Sequence, residues 1–305
     1  MKTGKRSWRA AVCEKGLWLS GGKKVFSDPS TYEKHMRKRS EEEKHAFKLP
    51  RSIRSKYHPD TVSFQGMPVL AFRGSDQQND DVGLLIHGGA YVNEITNNHL
   101  TFCGKLAQKS GITVLAPIYP LAPNHRCRES FQLLTDWYLD VLRSYRGKIS
   151  MIGDSAGGGL AFALCQYFSK NSIRLPDELI GFSPWVDITM QNPDIPAFEN
   201  LDPMLSSPGL ADMGKVWADN IPATNYMVSP IFGDVSVFQN VTLFVGTREI
   251  FYPDVTKFFE KLQQNNVKAD LHIGEGMNHD YPLYPIPEAA DVLETVRTVC
   301  ARSVS

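Results

Sequence analysis

From residue 61 onward the chain alternates between two patterns of hydrophobic positions. Short continuous apolar runs at 82–87, 113–118, 148–153, 178–183, 241–246 and 268–273 have the character of strands buried on both faces. Between them, 100–110, 130–145, 159–169, 254–265 and 288–301 place apolar residues at helical spacing. In the last of these, Ala289, Val292, Leu293, Val296, Val299 and Cys300 recur at steps of three and four, which makes one buried stripe. Strand and helix in strict alternation predict a mostly parallel sheet with helices on both faces. Ahead of it, 61–66 and 68–73 read as two strands around a tight turn, an antiparallel edge followed by a polar loop over 74–81. Two stretches do not join the alternation. Residues 1–60 look helical but precede the sheet, and 188–226 is rich in Pro, Asn and Asp where another helix is due. Long insertions after sheet strands commonly become lids, so both are candidates for a cap over the strand ends.

With 305 residues, 42% apolar and 22% charged, the chain is long enough to bury a large core, which excludes collagen-like, disordered and disulfide-scaffold classes. Its 33 basic and 33 acidic residues balance, so no overall field gathers nucleic acid or anionic membrane. The balance is uneven along the chain: residues 1–60 hold 16 Lys/Arg against 7 Asp/Glu, with acids such as Glu41, Glu42 and Glu43 interleaved, as on a solvated charged helical extension. Five scattered cysteines, Cys13, Cys103, Cys127, Cys165 and Cys300, form no CxxC pair and suit a reducing compartment. No run approaches a membrane span, and the basic start lacks the apolar stretch of a signal peptide. The expectation is a soluble cytoplasmic protein without nucleic-acid partner or stable membrane insertion.

The chemistry starts at Gly153-Asp154-Ser155-Ala156-Gly157, a GxSxG between a buried strand and an apolar helix. A serine at the tip of so sharp a turn adopts a strained backbone, tolerable when the residues two before and two after have no side chain. There it sits beside the unpaired N–H groups and positive dipole of a helix start, which suits a nucleophile whose reaction generates an oxyanion. A phosphate loop is excluded: GxxxxGK[ST] is absent, and Phe162 stands where GxGxxG requires its last glycine.

A tetrahedral oxyanion needs two or three donors. The N–H of Ala156 is one. The strand-ending turn His87-Gly88-Gly89-Ala90 offers others, with Gly88 and Gly89 letting the backbone approach the oxygen closely. His87, which precedes the turn, is expected to orient the loop from beneath and not to act as a base.

These motifs, together with Tyr119-Pro120-Leu121-Ala122-Pro123, Ser183-Pro184-Trp185-Val186-Asp187 and Gly276-Met277-Asn278-His279 in that order, resemble the hormone-sensitive-lipase-like esterases of the α/β-hydrolase superfamily over roughly residues 60–300. Two positions depart from the family pattern, Ala90 for the third glycine of HGGG and Pro120 for an arginine. The resemblance implies an α/β-hydrolase fold with a small helical cap: a catalytic domain over 61–305, a cap insertion near 188–226, and the 1–60 segment joining the cap. It also implies the chain order nucleophile, acid, histidine. His279 then becomes the base. The acid is Glu249, where the family commonly has aspartate, with Asp254 as the alternative and otherwise a helix-start charge.

The implied activity is hydrolysis of short-chain carboxyl esters by Ser155, Glu249 and His279, with Gly88, Gly89 and Ala156 holding the oxyanion and no metal or organic cofactor. The partner is a small acyl ester, and a homodimer is left open. Tyr91, Trp185, Phe198, Met204, Trp217 and Tyr226 are candidates for an apolar substrate pocket. An amide, formamide or acyl-peptide hydrolase would use the same atoms. A ligand-binding receptor on a dead hydrolase would have lost one of them.

Overall fold

The computed structural model describes residues 6–74 and 80–301, so part of the expected 74–81 loop lies outside the described residues. Each apolar run forms a strand: β1 (Asp60–Phe64), β2 (Met67–Phe72), β3 (Val82–Ile86), β4 (Thr113–Pro117), β5 (Ile149–Asp154), β6 (Glu178–Phe182), β7 (Asn240–Gly246) and β8 (Lys268–Gly274). They make one sheet in the order β1-β2-β4-β3-β5-β6-β7-β8. β2 runs antiparallel to both neighbours, and every pair from β4 to β8 is parallel. Parallel strands need crossovers, and the amphipathic segments supply them.

The helices are α1 (Trp8–Ser20), α2 (Lys24–Ser27), α3 (Pro29–Glu42), α4 (Arg51–Tyr57), α5 (Asn97–Ser110), α6 (Cys127–Ser144), α7 (Ser155–Lys170), α8 (Pro196–Glu199), α9 (Ser207–Ala218), α10 (Tyr252–Gln264) and α11 (Pro287–Ala301). Two cores result, one on each face of the sheet. Leu100, Leu106, Val292 and Val296 of α5 and α11 fill one, and Phe131, Leu160, Phe168, Val255 and Phe258 of α6, α7 and α10 fill the other. Helix α7 starts four residues before the apolar pattern implies, because its glycines are held helical by close packing rather than by propensity. A Cβ on Gly159 would come within 2.1 Å of the Trp185 carbonyl oxygen.

The stretch 188–226 contains α8 and α9, and α2 lies against α9 so closely that a Cβ on Gly209 would sit 2.4 Å from Phe26 Cα. The N-terminal segment is tied to the sheet domain by charge. Buried Glu14 of α1 pairs with Arg6 and, at 2.8 Å, with Arg248, and the Ser7 N–H donates to Glu288 at 2.6 Å. All five cysteines are free thiols, four of them buried. Among the described residues no helix is long and apolar enough to cross a membrane.

Candidate active site

Strands β3, β5, β6, β7 and β8 end at one edge of the sheet, where an open α/β sheet offers its crevice. Just beyond these strand ends lie His87-Gly88-Gly89-Ala90, Ser155, Ser183, Glu249 and His279. Ser155 opens α7 directly after β5 at φ +49°, a left-handed conformation that costs a non-glycine residue about 1–3 kcal/mol. Its neighbours explain how the turn closes. A Cβ on Gly153 would lie 2.5 Å from the Gly157 carbonyl oxygen, and one on Gly157 would lie 2.1 Å from that of Ile86. Any side chain at either position would push the strand and helix apart.

His279 Nε2 lies 3.0 Å from Ser155 Oγ, and its Nδ1 lies 2.7 Å from Glu249 Oε2. A carboxylate only accepts, so the Nδ1 proton points to Glu249, and in the neutral ring the Nε2 lone pair faces the serine hydroxyl. The other Glu249 oxygen accepts from Ser183 Oγ at 2.8 Å and from the Gly246 N–H at 2.6 Å, which fixes the carboxylate at both ends. Ser183 is a contributor whose place inside a longer family block gives it no separate signal in the sequence. Asp254 is elsewhere: buried in the first turn of α10, it accepts from Asn192 at 2.7 Å, and burial pushes its carboxyl up to about 6.

The glycine turn corrects one sequence expectation. The Gly88 N–H donates to Asp154 Oδ1 at 3.0 Å and is therefore not available to an oxyanion. Among the described residues the N–H groups of Gly89 and Ala90 have no acceptor, and both residues border the cavity at Ser155. The loop reaches this shape through three consecutive positive φ values, +122° at Gly89, +55° at Ala90 and +62° at Tyr91. Alanine tolerates the middle one; the first is open to glycine alone.

Asp154 anchors the loop from beneath. Its second oxygen meets His99 Nε2 at 2.8 Å, while the Thr96 N–H donates to His99 Nδ1 at 2.9 Å and so assigns the imidazole proton to Nε2. Burial would raise the Asp154 carboxyl, but His99 and the Gly88 N–H outweigh it and hold it below the ordinary carboxylate range. Neither Asp154 nor His99 stands out in the sequence, because the contact closes across 55 residues. His87 is fully buried, bonded through Nδ1 to the Gly88 carbonyl at 2.8 Å and stacked on Tyr119 at 4.5 Å. Burial lowers it to about 4, so it stays neutral beneath the loop. Asp154→Ala leaves two buried donors without an acceptor. It is expected to lower the unfolding free energy by about 3 kcal/mol, measured by urea denaturation.

The cavity at Ser155 has a volume of about 220 Å³ and is walled by Leu17, Phe26, Pro203, Met204 and Leu205, with His279 and Asp280 as its ionisable groups. This replaces most of the pocket expected from sequence. Only Met204 of the six candidates borders it. Tyr91, Trp185 and Trp217 form a buried stack, with ring centroids 4.5 Å and 5.5 Å apart, that supports the loop from the core. Phe198 packs on Tyr252, and Tyr226 lies under Lys170. Leu17 and Phe26 come from the N-terminal segment expected to join the cap, although no local pattern singles out either residue. Among the described residues no group of three His, Cys, Asp or Glu side chains is arranged to hold a metal ion.

A parallel sheet whose carboxyl edge carries hydroxyl, imidazole and carboxylate in line defines the α/β-hydrolase class. Residues 84–283 match the family of the alpha/beta hydrolase fold. An esterase of Acinetobacter venetianus is 31% identical over 216 residues, spanning 69% of this chain and 71% of that one. The hormone-sensitive lipase of Mus musculus is 29% identical over 128 residues, 39% of this chain and 17% of that one. A Staphylococcus aureus crystal structure, proposed to be an esterase, superposes with a TM-score of 0.88 at 28% identity, covering 92% of this chain and 96% of that one. The chain belongs to the α/β-hydrolase fold family and is a carboxylic ester hydrolase of the hormone-sensitive-lipase-like group.

Proposed function

We propose that this protein is a serine carboxylesterase that hydrolyses short-chain acyl esters through an acyl-enzyme. The observation that carries the reading is the unbroken line from Ser155 Oγ through His279 to Glu249, with contacts of 3.0 and 2.7 Å. His279 Nε2 takes the serine proton as Oγ bonds to the acyl carbon. The carbonyl oxygen becomes an oxyanion, held by the N–H groups of Gly89, Ala90 and Ala156. Collapse breaks the bond to the alcohol oxygen, which leaves with the proton from Nε2. Water then gives one proton to Nε2 as its oxygen bonds to the acyl carbon, and the acyl–Oγ bond breaks as Nε2 returns that proton to Oγ, releasing the acid and restoring the serine hydroxyl.

Cavity size supports the short chain. The space at Ser155 is small, about 220 Å³, and is walled by Leu17, Phe26, Pro203, Met204 and Leu205. The N-terminal helices and the 188–226 insert act together as the cap, since both supply walls to this cavity. Five free thiols fit the reducing environment of the cytoplasm.

The test is a series of p-nitrophenyl esters from acetate to decanoate with one aryl amide, p-nitroacetanilide. The expected result is kcat/KM greatest at two to four acyl carbons and falling by an order of magnitude or more beyond eight. A preference for the amide would move the assignment to an amidase using the same atoms.

A further inference from the structure

His279 Nε2 faces two oxygens. Ser155 Oγ lies 3.0 Å from it, and Oδ2 of Asp280, the next residue along the chain, lies 3.1 Å from it. Asp280 is turned back onto the ring because its backbone is left-handed, at φ +53°, and its N–H donates to Ser183 Oγ at 3.1 Å. Counting protons decides what this contact means. A neutral imidazole has one N–H, and Glu249 at 2.7 Å takes it at Nδ1, which leaves a lone pair on Nε2. An ionised carboxylate oxygen 3.1 Å from a lone pair is repelled. One added proton on Nε2 turns both carboxylate contacts attractive.

Resting on the reading of Ser155 and His279 as nucleophile and base, we infer that Asp280 is a positioning residue that competes with Ser155 for His279 Nε2 and holds the resting imidazole protonated at neutral pH. The esterase works when that proton leaves, so Asp280 sets the pH below which the enzyme is idle. The surroundings point the same way. Facing the pair are Glu249 after β7, Asp154 at the end of β5, Asp202 between α8 and α9, His99 of α5 with its Nε2 proton turned to Asp154, and the uncharged Tyr284. Asp280 Oδ1 is buried with no hydrogen-bond partner, and among the described residues His279 is the one basic side chain within ion-pair distance of the carboxylate, through Oδ2. Burial opposes charge on His279, yet Asp280 and Glu249 outweigh it and raise the imidazole well above its ordinary range. Burial also raises the Asp280 carboxyl, and the charge of the His279 imidazolium opposes that rise.

The experiment is kcat/KM for p-nitrophenyl acetate from pH 5 to 9.5 in the wild type, Asp280→Asn and Asp280→Ser, read as the ratio of the values at pH 6 and pH 9. Removing an adjacent carboxylate lowers a histidine pKa by about one unit or more, so the ratio is expected to rise about tenfold or more in both variants. A ratio unchanged from wild type, at whatever absolute rate, overturns the inference. A second measurement needs no variant: the His279 ring followed by NMR in the wild type is expected to be imidazolium at pH 6, and a neutral ring there also overturns it. Ser155→Ala separates the two levels. Retained turnover in that variant defeats the nucleophile reading itself, whereas loss of turnover with a flat pH ratio defeats only the role of Asp280.

Discussion

Ser155→Ala is expected to lower kcat for p-nitrophenyl acetate by about 10⁴-fold or more, with the unfolding midpoint changed by no more than a few degrees. The size follows from what the substitution removes. Without Oγ no acyl-enzyme forms, and the turnover left is what an oxyanion site and bound water supply. Stability is spared because the backbone at 155 is held by its neighbours: the Ser155 carbonyl accepts from the Trp185 N–H at 2.8 Å, and Gly153 and Gly157 keep the strand and helix in contact. Alanine adopts the left-handed φ at a cost close to that of serine. Residual activity above about 1% in a folded variant would move the nucleophile elsewhere, and the line from Ser155 to Glu249 would then have no catalytic meaning.

The parts of the site legible in sequence are those in which a local rule and the chemistry coincide. Gly153 and Gly157 are glycines because strand and helix backbones meet there, and that requirement is written within five residues of the serine it exposes. Strands β2 to β7 are legible for a similar reason: each is buried on both faces, so it shows as an apolar run with no dependence on its partners, whereas β1 and β8, at the two edges of the sheet, are largely open to solvent. Where contacts close over long distances the pattern is silent. Gly88 and Gly89 look equivalent in a string of letters, yet the Gly88 N–H is turned toward Asp154 and the next residue, at φ +122°, turns the chain so that its N–H is left free. Leu17 and Phe26 face the cavity from helices that look like a solvated basic extension, because the charges on that extension are largely on its outer surface while Glu14 is locked inward by Arg6 and Arg248. Large aromatics mislead in the opposite direction. Tyr91, Trp185 and Trp217 have the composition of a pocket, but their best burial is against one another.

Glu249→Gln is expected to lower kcat/KM by about 10³–10⁴-fold, whereas Asp254→Asn lowers it by less than about tenfold, both measured with p-nitrophenyl acetate at pH 8. The two acids are five residues apart in one loop-to-helix segment, and geometry gives them different work. Glu249 Oε2 holds the Nδ1 proton of His279 at 2.7 Å, so it selects the tautomer that leaves Nε2 free to take a proton, and it stabilises the imidazolium formed when it does. Glutamine at 249 offers an amide that can also donate to Nδ1, which would place the ring proton on Nε2 and leave the base unable to accept from Ser155. The Gly246 N–H and Ser183 hydroxyl now bonded to Oε1 would hold the amide oxygen and turn its NH₂ toward the ring, so the loss falls on catalysis more than on folding. Asp254 contacts Asn192 and no part of His279. With its carboxyl already raised to about 6 by burial, it needs little rearrangement to become an amide. The reverse order of losses would reassign the acid to Asp254 and require the α10 start to move toward His279 before catalysis.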